Sequence, residues 1–374
     1  IGVDTETKDS KLLSLGPGYI RQDGDYLVGV SLATDDGHKA YYPMRHEGGD
    51  NLDSTQVLRY LREQLSRPNQ SKIFANPLYD LGWLRSDEVR VEGPIYDVQV
   101  ADPLINENHR SYRLDEVAFR WLDERKEETL LGEAAEAYGV DLKGGLWKLP
   151  SRYVGPYAEA DADLPIRVFQ KQWPVLQEMG LEKVWELECR QIPLLHEMKF
   201  RGVRIDVEKV YDGIDAMRER EDNALLTLKR IAGREVNPWS APELMLLYQE
   251  KGYRVFYTDA ENPSFTAQIL EQQATEDSER GRIARAVLEA RRANKLRSTF
   301  LEGMVLEHLI GDRIHCDFNQ LLRDEYGTRS GRYSSSNPNL QQVPKRDTEA
   351  RLLIRGLFIP DEGCKWVRFD YSQQ

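Results

Sequence analysis

The chain's 374 residues, 40% hydrophobic and 30% charged, exclude a single small module and leave room for two or three domains with separate cores. A formal charge of −12 argues, taken alone, against a nucleic-acid partner. Three cysteines, Cys189, Cys316 and Cys364, stand far apart and outside any C-x-x-C spacing, which argues against a disulfide framework or a structural zinc site and points to a reducing compartment.

No apolar run approaches the roughly 18 residues that span a bilayer, and no basic segment leads into an apolar one at the start, so neither a membrane partner nor an export signal is expected. The first residue is Ile1 rather than Met, as in a sequence cropped from a longer protein.

Residues 1–45 read as three strands, Ile1 to Thr7, Tyr26 to Ala33 and His38 to Tyr42, separated by Gly- and Asp-rich turns. Val57, Leu58, Leu61 and Leu65 recur at helical spacing and predict a helix over 54–66. Lys72 to Ala75 suits a short strand, Pro77 is placed to start another helix, and 97–180 is mostly helical. Strands first, then strands alternating with helices, predict a mixed sheet flanked by helices. Long helices follow, one ending at Gly202, one from Val210 to Ile231 ending at Gly233, and a third over about 280–309, with a loop expected at 258–266. Arg313 to Phe318 and Trp366 to Asp370 are strand candidates.

Charge is spread unevenly along this order. Residues 1–180 hold 21 Lys and Arg against 31 Asp and Glu, and 181–374 hold 30 against 32. Within the second half, 280–346 carries 13 against 7, a local +6 that suits either a phosphate-binding stripe or a solvated helix face.

Acidic residues in the first half sit in three distinctive settings. Asp4 and Glu6, two apart on a strand, point to one face of the sheet. Asp80 follows Asn76 in the first turn of a helix, where an anion is favoured. Tyr157 and Asp161 are four apart on one helical face, so a phenol and a carboxylate can aim at one point. Each has a plain alternative: solvated carboxylates on an edge, a helix-start Asp behind an Asn cap, and a buried Tyr bonded to a helix-surface Asp.

In order and spacing, D-x-E, N-x-x-x-D and Y-x-x-x-D together resemble the exonuclease motifs of the DEDD superfamily, Tyr-containing branch. The resemblance covers roughly 1–175 and implies a ribonuclease-H-like fold with two Mg²⁺ or Mn²⁺ ions. By that pattern Asp4, Glu6, Asp80 and Asp161 hold the ions and Tyr157 orients the attacking water. Hard cations prefer such carboxylate oxygens, and two ions can activate water and stabilise the departing 3′ oxygen.

In the second half, Ser330 to Pro344 surrounds Arg332 with Ser, Asn and Gln, and the chain ends in Val367-Arg-Phe-Asp370-Tyr-Ser-Gln-Gln374. A polar loop and a strand-end Asp are the plain readings. Together the two blocks resemble family A DNA polymerases of the bacterial DNA polymerase I type. The first resembles the segment that contacts primer and template, and the second resembles motif A, which implies that Asp370 binds the polymerase metal. Glu188 to Asp206 is similar to the family's junction from exonuclease to thumb, and Leu288 to Phe300 to its thumb helix. Tyr333 stands where the family usually has Leu, and Gln374 where an aliphatic residue usually follows D-Y-S-Q.

The resemblance implies an α/β exonuclease domain over 1–178, a helical thumb over 179–311 and the first strands of a palm over 312–374. It implies DNA contacts through Arg291, Arg292, Lys295, Arg297, Arg332, Asn337, Asn339 and Gln341. Primer–template DNA and single-stranded 3′ ends are the expected partners. The dNTP, and Mg²⁺ at Asp370, are expected only with a complete palm, and work in a bacterial cytoplasm, near the nucleoid or during phage infection, is expected with them. The alternatives are a stand-alone DEDD nuclease and a nuclease-silent DNA-binding half of a split polymerase that needs a C-terminal polypeptide.

Overall fold

In the computed structural model, residues 1–372 are described apart from Gln22, Lys143 and 322–326. Gln373 and Gln374, the end of the D-Y-S-Q-Q stretch, lie outside the described residues. The chain divides into two units, one of Ile1–Gly202 with His315–Gln341 and one of Val203–Ile314 with Gln342–Gln374.

The first unit begins with β1 (Gly2–Lys8), two helical turns α1 (Leu12–Leu15) and α2 (Gly18–Arg21), β2 (Tyr26–Ala33), β3 (Lys39–Pro43) and α3 (Ser54–Leu65). Then come β4 (Lys72–Phe74), α4 (Pro77–Ser86), β5 (Ile95–Asp97), α5 (Val98–Ile105), α6 (Leu114–Leu122), α7 (Thr129–Tyr138), α8 (Ser151–Glu178) and α9 (Glu182–Arg201). The sheet order is β3-β2-β1-β4-β5, antiparallel among the first three and parallel from β1 through β4 to β5. It is the mixed, helix-flanked sheet expected from the order of strands and helices.

Side-chain alternation along the central strand β1 assigns its residues to two layers. Val3 joins a core with Leu61, Trp83 and Trp185. On the other face α8 supplies Ala162, Leu164 and Ile166, which bury with Ile73 and Val117. α8 runs unbroken through Pro156, Pro165 and Pro174, each of which removes a ladder hydrogen bond. Buried side chains along its length, from Val154 to Leu176, hold it against the sheet.

The first compact unit runs past 178, where the exonuclease domain is expected to end, as far as Gly202. Trp185, Cys189 and Ile192 of α9 are buried in the first unit's core, and the Trp185 ring lies 4.6 Å from Tyr96 and 5.3 Å from Phe169. Burial of a Trp of that size outweighs the change in sequence texture at 180. The hairpin of β11 (Asp317–Asn319) and β12 (Ser334–Ser336) also belongs to this unit, anchored by the Lys199–Asp317 ion pair.

The second unit is mostly helical. β6 (Val203–Arg204) leads into α10 (Val207–Ala232), α11 (Ala241–Glu250), a hairpin of β7 (Phe256–Tyr257) and β8 (Pro263–Ser264), α12 (Ala267–Ala274) and α13 (Glu279–Asn294). The stretch expected as a loop, 258–266, contains β8, and only 258–262 connects the two strands. α13 continues as a π-helical stretch, Lys295–Val305, and β9 (Leu309–Ile310) and β10 (Arg313–Ile314) close a small sheet on β6. After α14 (Thr348–Arg355) the described residues form no regular strand, which corrects the strand expected over Trp366 to Asp370. No neighbouring strand pairs with it among the described residues, and Trp366, Val367, Phe369 and Tyr371 are exposed. No helix is long and apolar enough to cross a membrane, among the described residues.

Two buried histidines make the first unit acid-sensitive. His46, bonded to the Tyr41 hydroxyl at 2.7 Å, is pushed down to about 4 by burial. His196 is pushed down to about 4 by burial and then by Arg85. Their folded values lie below the unfolded one, so their neutral forms favour the native state fully above about pH 6.5. This stabilisation is lost as pH falls toward 4, at about 1.4 kcal/mol per pH unit for each histidine. Between pH 7 and pH 5, urea midpoints should therefore fall further for the natural sequence than for a His46→Gln, His196→Gln variant. Parallel pH dependences would contradict this.

Candidate active site

Asp4 and Glu6 share the face of β1 that α8 covers. The approach of helix to strand depends on Gly2: a Cβ there would lie 1.9 Å from the Ala162 carbonyl oxygen. Asp161, one residue before that contact, consequently reaches the strand, and one oxygen each from Asp4, Glu6 and Asp161 lie within 4.8 Å of one another. Tyr157 stands one turn earlier on α8, and its hydroxyl hydrogen-bonds Asp161.

Burial, then the charges of Asp161, Asp80 and Glu6, raise Asp4 well above the usual carboxylate range. Burial and Asp161 push Glu6 up to about 8. Burial also raises Asp161, against the opposing pull of Lys126. Carboxylates confined like this are relieved by a cation, and a set of hard oxygens without His or Cys fits Mg²⁺ or Mn²⁺.

Asp80 stands apart from these three. Buried in the first turn of α4, it accepts the Thr5 hydroxyl at 2.6 Å, and Thr5 points to the face of β1 opposite Asp4 and Glu6. It still raises both of their values, and burial pushes its own up to about 7. Asn76 occupies the N-cap position of α4 in a left-handed conformation, φ 69°, and makes no side-chain cap bond.

Thr5 and Lys126 were not legible as site residues. Thr5 reads as the spacer of D-x-E. Lys126 sits in the charged run Asp123-Glu-Arg-Lys-Glu-Glu128, whose ordinary meaning is a solvated loop, yet its Nζ is 2.6 Å from Asp161 Oδ1.

The residues expected to touch DNA divide between the two units. Arg291 donates to the carbonyls of Pro238 and Phe265 at 2.8 and 2.6 Å. Arg292 pairs with Asp347 and Glu349, and Arg297 with Glu221 and Glu302. Lys295 is exposed. In the first unit Arg332 is exposed, Asn337 donates to Asp317 Oδ2 at 2.9 Å, and Asn339 Oδ1 accepts from the Gln341 backbone at 3.0 Å. Asp370 lies in the exposed segment after α14 and meets no other carboxylate of a metal cluster, among the described residues.

Residues 1–177 match the family model for 3′-5′ exonuclease, and residues 213–374 match that for DNA polymerase family A. The chain therefore joins a region matched to 3′-5′ exonucleases to a region matched to family A DNA polymerases, consistent with a fragment of a family A DNA polymerase. It is 38% identical over 387 residues to a DNA-directed DNA polymerase of Pseudomonas phage M6, covering 100% of this chain and 57% of that protein. It is 28% identical to DNA polymerase DpoZ of Salmonella phage PMBT28, covering 100% of this chain and 60% of that protein. DNA polymerase I of Pseudomonas aeruginosa is also 28% identical, over 93% of this chain and 38% of that protein. The chain thus spans little more than half the length of the two phage relatives. In fold it is similar to the POL domain of Pol1 from M. smegmatis, solved in complex with DNA primer-template and dNTP, with a TM-score of 0.67 and 19% identity over 97% of this chain and 55% of that one.

Gly2→Ala tests the helix–strand contact. It should cost about 1–3 kcal/mol by overpacking and weaken Mn²⁺ binding, because α8 must back away from β1 with Asp161 on it. Gly155→Ala in the same helix meets nothing nearer than 3.8 Å, so it should keep Mn²⁺ affinity. Calorimetric titration with Mn²⁺ compares the two, and equal affinities would dissociate Gly2 from the site.

Proposed function

We propose that the first unit is a ribonuclease-H-like DEDD nuclease that removes nucleotides from 3′ ends in the 3′→5′ direction, and that the second holds the thumb and the start of the palm of a polymerase. The observation that carries the nuclease reading is the Asp4, Glu6 and Asp161 cluster beside Tyr157. Divalent ions, two in this reading, would supply the activation of water and the stabilisation of the leaving 3′ oxygen. Asp4, Glu6 and Asp161 are placed to hold them, and Asp80, anchored by Thr5, adds charge from the neighbouring face. Burial, first, and the surrounding carboxylates hold the Tyr157 phenol above its ordinary range, so it stays protonated. Aligned by Asp161, its hydroxyl orients the attacking water.

Primer–template DNA and single-stranded 3′ ends are the proposed partners, with Lys295 and Arg332 the expected residues best exposed to meet phosphates. Arg291, Arg292 and Arg297 are engaged within the chain, so their first role in this reading is to hold the helical unit together. Nucleotide addition, with Asp370 binding Mg²⁺, is assigned to the longer polypeptide that the relatives suggest. Those relatives contain the matched region within one chain, which gives no support to a separate C-terminal partner. The match over 213–374 likewise disfavours a stand-alone nuclease. Phage and bacterial relatives favour work inside a bacterial cell.

Asp4→Ala and Asp161→Ala should abolish Mg²⁺- or Mn²⁺-dependent release of nucleoside 5′-monophosphates from a labelled single strand, whereas Tyr157→Phe should slow it by about 10²-fold or more, the scale expected when a positioning group is removed. Cleavage by an Asp4→Ala, Glu6→Ala variant, or cleavage persisting in excess EDTA, would place the chemistry elsewhere.

For duplex binding, Lys295→Ala and Arg332→Ala should each weaken affinity and reduce the salt slope by about 0.9 for every phosphate that is no longer neutralised. Arg291→Ala should instead lower the thermal midpoint of the helical unit. Fluorescence anisotropy across a salt series, with thermal melts, separates the two. An unchanged slope in a Lys295→Ala, Arg332→Ala variant would remove both residues from the interface.

A further inference from the structure

Lys126 is the cation of the candidate site that no motif spacing supplies. It lies in the irregular segment 123–128 between α6 and α7. Its neighbours tie that segment to α6: Arg125 donates to Asp115 and Glu116 at 3.2 and 3.3 Å and covers the Phe119 ring at 4.3 Å. The Lys126 backbone donates to Asp115 Oδ1 at 3.4 Å. With the loop held at that edge, the Lys126 side chain is only 14% exposed and turns inward, over the Tyr157 ring at 5.1 Å and onto Asp161 Oδ1 at 2.6 Å.

That position has a chemical consequence. At 2.6 Å the ammonium fills the space beside Asp161 Oδ1 and offsets its charge. A divalent ion on the same oxygen draws on the same space and charge, and two cations so close repel each other in a site with little water to screen them. Lys126 and a metal ion therefore compete for Asp161 Oδ1.

We propose that Lys126 is a tethered counter-ion of the carboxylate cluster, occupying the cation position at Asp161 until a divalent ion displaces it and releases its side chain to solvent. The proposal rests on the metal-binding reading above and adds a resident competitor to it. Lys126 acts through Asp161, so it is a positioning residue. It keeps the acidic residues gathered before the ion arrives, at the expense of ion affinity. A merely structural lysine would have the opposite signature, because its removal would loosen the site and weaken the ion.

Two measurements on the full chain test this. In calorimetric titration with Mn²⁺ alone, Lys126→Met should bind about tenfold more tightly than the natural sequence, a typical size for coupling between two ligands of one site, while Lys126→Arg, which keeps the charge, should bind as the natural sequence does. In acetylation with an N-hydroxysuccinimide ester read by mass spectrometry, Lys126 of the natural sequence should be protected without ion and become reactive in saturating Mn²⁺, with exposed Lys295 constant as reference. Unchanged or weaker binding by Lys126→Met, or Lys126 labelling indifferent to Mn²⁺, would overturn the displacement. The metal reading fails separately: in that case Asp4→Asn with Glu6→Gln would leave Mn²⁺ binding intact, or the natural sequence would bind none.

Discussion

The close contact between Gly2 of β1 and Ala162 of α8 organises the chemistry of this chain. A helix packed on a sheet ordinarily stands off by the thickness of two side-chain layers, and carboxylates on the two elements would then be separated by water. Here one wall of that gap has no side chain at Gly2. Asp161 therefore reaches Asp4 and Glu6, and three carboxylates share a space of 4.8 Å. The fold supplies the energy for this crowding. Buried Ala162, Leu164 and Val168 on the helix pack with Ala33 and Ile73 on the sheet and bind the layers together, so that burial and repulsion among the acids raise their proton affinity without separating the elements.

A charge cluster held by packing has to be neutralised from outside the carboxylate set, and that need accounts for the surroundings. Lys126 approaches from a loop, the Tyr157 phenol donates from the same helix, and Thr5 holds Asp80 on the reverse face of the strand. The alternation of one strand thus separates two kinds of acid. Asp4 and Glu6 face the helix and are open to a cation, whereas Asp80 faces inward and is satisfied by a hydroxyl.

Much of this was legible in the sequence because it depends on short periods. Two-residue spacing on β1 and four-residue spacing on α8 each fix a shared face, so Asp4 with Glu6 and Tyr157 with Asp161 were readable as pairs. Helix ends at Gly202 and Gly233 were readable because glycine serves there in conformations with positive φ. What could not be read depends on contacts distant in sequence. That Gly2 meets Ala162 is invisible to periodicity, as is the choice of Lys126 from a run of charged residues. The burial of α9 in the first unit is decided by Trp185 meeting Tyr96, far away in sequence, and Phe169, and composition gives no sign of it. The basic excess over 280–346 misleads for the same reason. Much of it is spent on partners elsewhere in the fold, with Arg297 on Glu221 and Arg292 on Asp347. The Trp366 to Asp370 segment shows the converse, since its alternating apolar residues favour a strand but no neighbouring strand is present among the described residues to pair with it.

If β1 and α8 together make one cation site from Asp4, Glu6 and Asp161, anomalous diffraction will show it most plainly, from crystals of this chain soaked in Mn²⁺ and recorded on either side of the manganese absorption edge. An anomalous peak bounded by those three carboxylates is expected, absent from crystals of the Asp161→Asn variant. Manganese bound elsewhere, with the three carboxylates bare, would contradict a shared site.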